Sequence, residues 1–187
     1  MNGTRGLKHS VALIKEKCVG CTDCIKRCPT EAIRVRQGKA VINEQKCIDC
    51  GLCIKVCTHR AKQAMTQKMD LLKKFEYKII LPAPSLYTQF IKVDNVNVIL
   101  TALKRLGFDD VFEVSAGAQA VTAATRKLIE EGGVTKPAVS SACPAVVRLI
   151  SMRFPSLIEN VVPIIAPVEA CAIAARERAI ISFNSIT

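Results

Sequence analysis

Eight of the ten cysteines in this 187-residue chain lie between Cys18 and Cys57, in two runs of identical spacing. The first is Cys18-Val-Gly-Cys21-Thr-Asp-Cys24-Ile-Lys-Arg-Cys28-Pro29, and the second is Cys47-Ile-Asp-Cys50-Gly-Leu-Cys53-Ile-Lys-Val-Cys57. They begin 29 residues apart, so the stretch is an internal duplication. Met1 to Lys17 contains no apolar run long enough for an export signal, and Val161 to Ala175 is interrupted by Pro163, Pro167 and Glu169. The expected address is therefore the cytoplasm, with no membrane span. In a reducing compartment clustered cysteines are metal ligands rather than disulfides.

Structural zinc takes cysteines as two separated C-x2-C pairs, and a triple C-x2-C-x2-C run would leave a ligand over at each site. The first run instead resembles the C-x2-C-x2-C-x3-C-P signature of bacterial ferredoxins, in which three cysteines wrap one cubane and the fourth serves the other cluster. The resemblance implies two 4Fe-4S clusters: one on Cys18, Cys21, Cys24 and Cys57, the other on Cys47, Cys50, Cys53 and Cys28. It also implies single-electron transfer as the chain's basic activity. A domain of this size buries too little core to be secure alone, so the clusters should supply much of its folding free energy. Thr58 stands where the first run has Pro29, and the loss of a proline that stiffens the turn is expected to loosen one cluster. Ala32–Arg36 and Ala40–Asn43 alternate about Gln37-Gly38-Lys39 as a hairpin, with Ser10–Ile14 and Gln63–Thr66 as a flanking pair. His9 and His59 are expected to be surface or packing residues.

The formal net charge is +11, falling to about +7 when eight thiolates and two cluster cores are counted. A basic surface of this kind would steer an acidic redox partner toward it, or is merely solvated, since its basic residues are scattered rather than clustered. Nucleic acid is not expected as a partner, because aromatic residues make up only 4% of the chain and stacking platforms are missing.

After residue 76 the composition turns apolar. Tyr77–Leu81, Val111–Val114 and Pro137–Ser141 are expected strands. Met69–Phe75, a segment from Val96 to Leu106, Ala118–Glu131 and a segment after Pro144 are expected helices. The alternation implies an α/β layer with a largely parallel sheet. The fold class is thus α+β with two domains: a two-cluster domain over 8–68, a linker over 69–76 and a partial α/β domain over 77–187. Pro144 suits a first helical position, which puts Cys143 at a helix N-cap after a strand. A structural role, a metal ligand and a nucleophile are all open there. Cys171, in Glu169-Ala170-Cys171-Ala172, is expected to be a buried small residue.

The segment Ser140–Leu149, followed by Phe154-Pro155-Ser156-Leu157, resembles the first active-site motif of iron-only hydrogenases; Lys78–Ser85 and Gly107–Gly117 resemble the segments before it. The resemblance implies that Cys143 is an H-cluster-type ligand and that Pro84 and Ser85 line the cofactor site. In the family's catalytic enzymes a proton-shuttling cysteine stands where this chain has Ala142. Their relay glutamates fall at about Thr122 and Thr125, and a relay serine falls at about Val162. Their Met-Pro-Cys motif and late cysteine pair have no counterpart in these 187 residues. The pattern is similar to the divergent sensory members. An H-cluster is therefore not expected in this chain, and the first expectation is an electron-transfer protein that works with hydrogenase-related subunits. The second is a hydrogen-sensing or hydrogenase enzyme whose remaining part is lost or comes from another chain.

Overall fold

In the computed structural model residues 9–184 are described, the side chains of 182–184 excepted; the expected outer limits at residues 8 and 187 lie outside them. Two compact units form. One holds the chain up to Lys68 together with Pro144–Ile158, and the other holds Met69–Cys143 and the chain from Glu159.

In the first unit β1 (Val11–Leu13) pairs antiparallel with β4 (Lys62–Ala64), and β2 (Ile33–Arg36) with β3 (Lys39–Ile42). Arg36 faces Lys39 across a two-residue turn, in which Gln37 and Gly38 both take positive φ (49° and 71°) as the tight hairpin geometry demands. Two single-turn helices follow the second cysteine of each run: α1 (Asp23–Lys26) and α2 (Leu52–Lys55). The duplication is visible in the backbone. Positive φ recurs at Gly20 and Asp49, at Thr22 and Gly51, and at Glu31 and Arg60, each pair 29 residues apart. Gly20 is needed for a second reason, since a Cβ there would lie 2.6 Å from the Gly38 carbonyl oxygen.

The core of this unit is thin. Cys18, Ile33, Ala40 and Ala61 are buried together, and Leu13, Ile25, Ile42, Cys24, Cys28, Cys53 and Cys57 pack on them. Five of these eleven side chains are thiols, so the apolar area available for burial is small. A helix, α6 (Pro144–Arg153), belongs to the same unit, with Arg148 Nη1 3.2 Å from Asp49 Oδ2 and Arg153 Nη1 3.6 Å from Glu31 Oε1.

In the second unit β5 (Ile79–Ile80) and β6 (Asp110–Val111) pair in parallel, and Val139 bridges Val161, also in parallel. The expected strands are thus shorter than their apolar runs. Pro82 offers no N–H to prolong β5, Val114 is already helical beyond β6, and Pro137 removes a donor from the third segment. Met69–Lys74 is a 3-10 turn rather than a regular helix. The remaining helices are α3 (Pro84–Tyr87), α4 (Val96–Arg105), α5 (Val114–Glu130) and α7 (Pro167–Asn184). Asn95 caps α4 by accepting from the Asn97 N–H at 2.9 Å. α5 packs on α7 where Gly117 meets Cys171; a Cβ at Gly117 would collide with the Cys171 Sγ and the Pro167 carbonyl. Cys171 is fully buried and donates to the Glu113 carbonyl at 3.4 Å.

Candidate metal centres

The eight clustered cysteines separate into two sets of four around two small cavities. Cys18, Cys21, Cys24 and Cys57 line one. Cys28, Cys47, Cys50 and Cys53 line the other. The fourth cysteine of each run therefore faces the loop of the other run, which is the crossing that the ferredoxin resemblance implies. Cys21 and Cys50, the second of each run, are exposed, so each cavity has an edge open to solvent.

Backbone N–H groups are aimed at the sulfurs. Ala32 N–H donates to Cys28 Sγ and Ala61 N–H to Cys57 Sγ, both at 3.2 Å, and Ala40 N–H donates to Cys18 Sγ at 3.4 Å. Donors of this kind favour thiolates and tune the potential of a cluster bound to them. Burial pushes the Cys24 and Cys47 thiols up and raises Cys53 to about 11, with neighbouring sulfurs adding to the effect. At Cys18 burial acts in the same direction, but the Ala40 and Gly20 N–H groups and the Lys39 and Lys62 ammoniums outweigh it and leave the thiol below its ordinary value. Crowded thiols give up their protons most readily when a cationic centre takes the protons' place.

Lys62 gives a direct test of fit. It is 4% exposed, lines the first cavity, and its Nζ has no hydrogen-bond partner among the described residues. A buried ammonium without a partner is strongly disfavoured in an apolar setting, whereas beside a group with net negative charge it is stabilised. Four thiolates around an iron-sulfur core form such a group, so the residues present fit one. The expected flanking strand begins at Gln63 and leaves Lys62 out, whereas β4 begins at Lys62. The signal was nonetheless there, since the position 29 residues earlier is Ile33.

Asp49 was also missed. Its Oδ1 accepts from the Ser10 N–H at 2.6 Å and lies 3.7 Å from Cys47 Sγ. His9, half-buried, brings a ring nitrogen into the same neighbourhood, within 4.8 Å of the Cys47 and Asp49 ligand atoms. His59 is exposed at the rim of the first cavity.

In the second unit Pro84 and Ser85 form the first turn of α3 and are exposed, and Cys143 is exposed immediately before α6. α3 is tied to the start of α5 by Tyr87, whose hydroxyl donates to Glu113 Oε2 at 2.5 Å. Burial, reinforced by that carboxylate, pushes the Tyr87 hydroxyl up to about 12. A separate cavity is lined by Thr122, Thr125, Arg126, Ser140, Ala142 and Pro167 among others, and holds none of Cys143, Pro84 and Ser85. Val162 is buried. No helix among the described residues is long and apolar enough to cross a membrane.

Comparison with known proteins agrees with both halves. Residues 76–181 match the family described as iron only hydrogenase large subunit, C-terminal domain, and residues 10–58 match the 4Fe-4S dicluster domain. Ferredoxin-2 of Desulfomicrobium norvegicum is 43% identical over 33 residues, 18% of this chain. The chain spans 56% of that ferredoxin's length.

Proposed function

The chain belongs to the iron only hydrogenase large-subunit family and carries a ferredoxin-like iron-sulfur domain, and from that premise we propose that it takes single electrons from a protein partner and passes them to hydrogenase-related machinery through two 4Fe-4S clusters. Cys18, Cys21, Cys24 and Cys57 would hold one cluster, and Cys47, Cys50, Cys53 and Cys28 the other. The observation that carries this reading is the partition of eight thiols into two cavities, each completed by a cysteine from the opposite run. When bound, such clusters accept and release one electron at a time. The chain's own residues supply the thiolates, the N–H donors to sulfur and the exposed edges at Cys21 and Cys50. The net positive charge favours an acidic donor.

Iron and acid-labile sulfide counts on the anaerobically reconstituted chain test the assignment. About eight irons per chain are expected; about four would overturn it. Cys57→Ser is expected to damage the cluster of the first run while leaving the other's spectrum in place.

The match over residues 76–181 supports a second reading, in which the chain is part of a hydrogen-sensing or hydrogenase enzyme and Cys143 is an H-cluster-type ligand beside Pro84 and Ser85. Cys143→Ser separates the two readings. An unchanged iron count supports electron transfer alone, and a lost cluster supports the second.

A further inference from the structure

We propose that Lys62 makes the two centres electronically unequal: its buried ammonium is the counter-cation of the Cys18, Cys21, Cys24 and Cys57 centre and holds that centre at a higher reduction potential than the Cys28, Cys47, Cys50 and Cys53 centre. The inference rests on the two-cluster reading above and goes beyond it.

The two cavities are built by one repeat, so their differences can be read position by position. Ala32 and Ala61 occupy equivalent places and make equivalent N–H to sulfur bonds at 3.2 Å. The next residues diverge. Ile33 lines the second cavity at 2% exposure, and Lys62 lines the first at 4%. A lysine in a strand normally carries its ammonium out to water. This one keeps Nζ inside, without a hydrogen-bond partner among the described residues.

A second substitution in the repeat acts in the same direction. Gly20 in the first half corresponds to Asp49 in the second, which sets a carboxylate 3.7 Å from Cys47 Sγ. Lys39 Nζ is engaged by the Cys18 carbonyl at 2.6 Å, and Asp49 is held by Arg148 at 3.2 Å. Asp23, where the other half has Leu52, also lines the first cavity and opposes Lys62 there, but it is only half-buried, whereas the Lys62 ammonium is enclosed.

Reduction adds one electron to a centre that is already anionic, forms and breaks no bond, and moves no proton; the electron comes from a one-electron donor such as dithionite. A nearby ammonium in a low-dielectric setting favours the more negative, reduced state. Lys62 also bears electrostatically on Cys53 of the second set, as it does on Cys24 and Cys18 of the first, so the second centre should feel an effect of the same sign; the difference between the centres rests on Lys62 lining the first cavity and not the second.

The test is a redox titration of the full, reconstituted chain followed by electron paramagnetic resonance, comparing wild type with Lys62→Met, Lys62→Arg and Ile33→Lys. In Lys62→Met one midpoint should fall by at least a tenfold change in the reduction equilibrium, about 59 mV for one electron, while the other moves less. Lys62→Arg should retain the wild-type value, and Ile33→Lys should raise the lower midpoint. Unmoved midpoints, or equal shifts of both, in a Lys62→Met protein with full iron would overturn the proposal. If Lys62→Met fails to load, Ile33→Lys decides, and an unmoved lower midpoint or a lost second centre would overturn it. An iron count near four in the wild type would instead sink the two-cluster reading.

Discussion

At the scale of single residues, the Tyr87–Glu113 pair shows how a polar contact becomes a pH-dependent stability term. Tyr87 ionises in the folded chain at about 12, against an ordinary value of 10.0, because burial and the Glu113 carboxylate both oppose a phenolate. Its folded-state value is raised, so the unfolded chain loses this proton first. The stabilisation is fully present below pH 10 and is lost as pH rises through 12. Tyrosinate absorbance should therefore show a late phase near pH 12, absent from Tyr87→Phe and moved to lower pH in Glu113→Gln. A late phase that survives in Tyr87→Phe would refute the assignment. Asp49 and Glu113 are residues that the linear sequence hides, whereas Lys62 is marked in it only by standing where the other copy of the repeat has Ile33. Their partners are cysteines, an arginine and a tyrosine brought near by folding, and no local periodicity marks a charge that is about to be enclosed.

Among the elements, the contact between α5 and α7 depends on Gly117. A methyl group there meets the Cys171 sulfur and the Pro167 carbonyl, and neither can retreat without shifting a helix. Gly117→Ala should cost about 1–3 kcal/mol by overpacking, measured by urea unfolding of the full chain. Adding Cys171→Ala should recover part of that loss, because the two sites share one contact. The helices themselves were largely legible. Val96, Ile99, Leu100 and Leu103 recur on one face, Asn95 and Gly107 punctuate the ends, and Pro144 opens α6. The strands were legible in place but not in length, since apolar runs at Tyr77–Leu81 and Pro137–Ser141 say nothing of how few partners each will find. Gly117 was unreadable for a related reason, since Ala-Gly-Ala within a helix looks like any small-residue stretch until the partner helix arrives.

For the whole molecule, the expectation is a chain whose two units respond differently to loss of iron. The first unit has a core nearly half composed of thiols, whereas α4, α5 and α7 pack through ordinary side chains. Iron chelation should abolish protection from hydrogen exchange across β1–β4 while α5 and α7 retain theirs; protection kept in β2 and β3 of the apo chain would contradict this. The two cysteine runs were the most legible part of the molecule, because their spacing and its repeat can be counted directly in the chain. The assignment of Pro144–Ile158 to the same compact unit as the cysteines was not, because it follows from Arg148 and Arg153 meeting carboxylates far away in sequence. The exchange of Cys28 and Cys57 between the loops has a genealogical consequence. One copy of the repeat closes neither cavity, since its last thiol points into its neighbour's. A half-length ancestor could have completed both only by pairing with an identical copy about a two-fold axis, and fusing the two genes would have turned that dimer into a monomer. Only after such a fusion could the two halves drift apart, and a lysine facing an isoleucine across the old two-fold axis is the kind of difference that a true homodimer could never acquire.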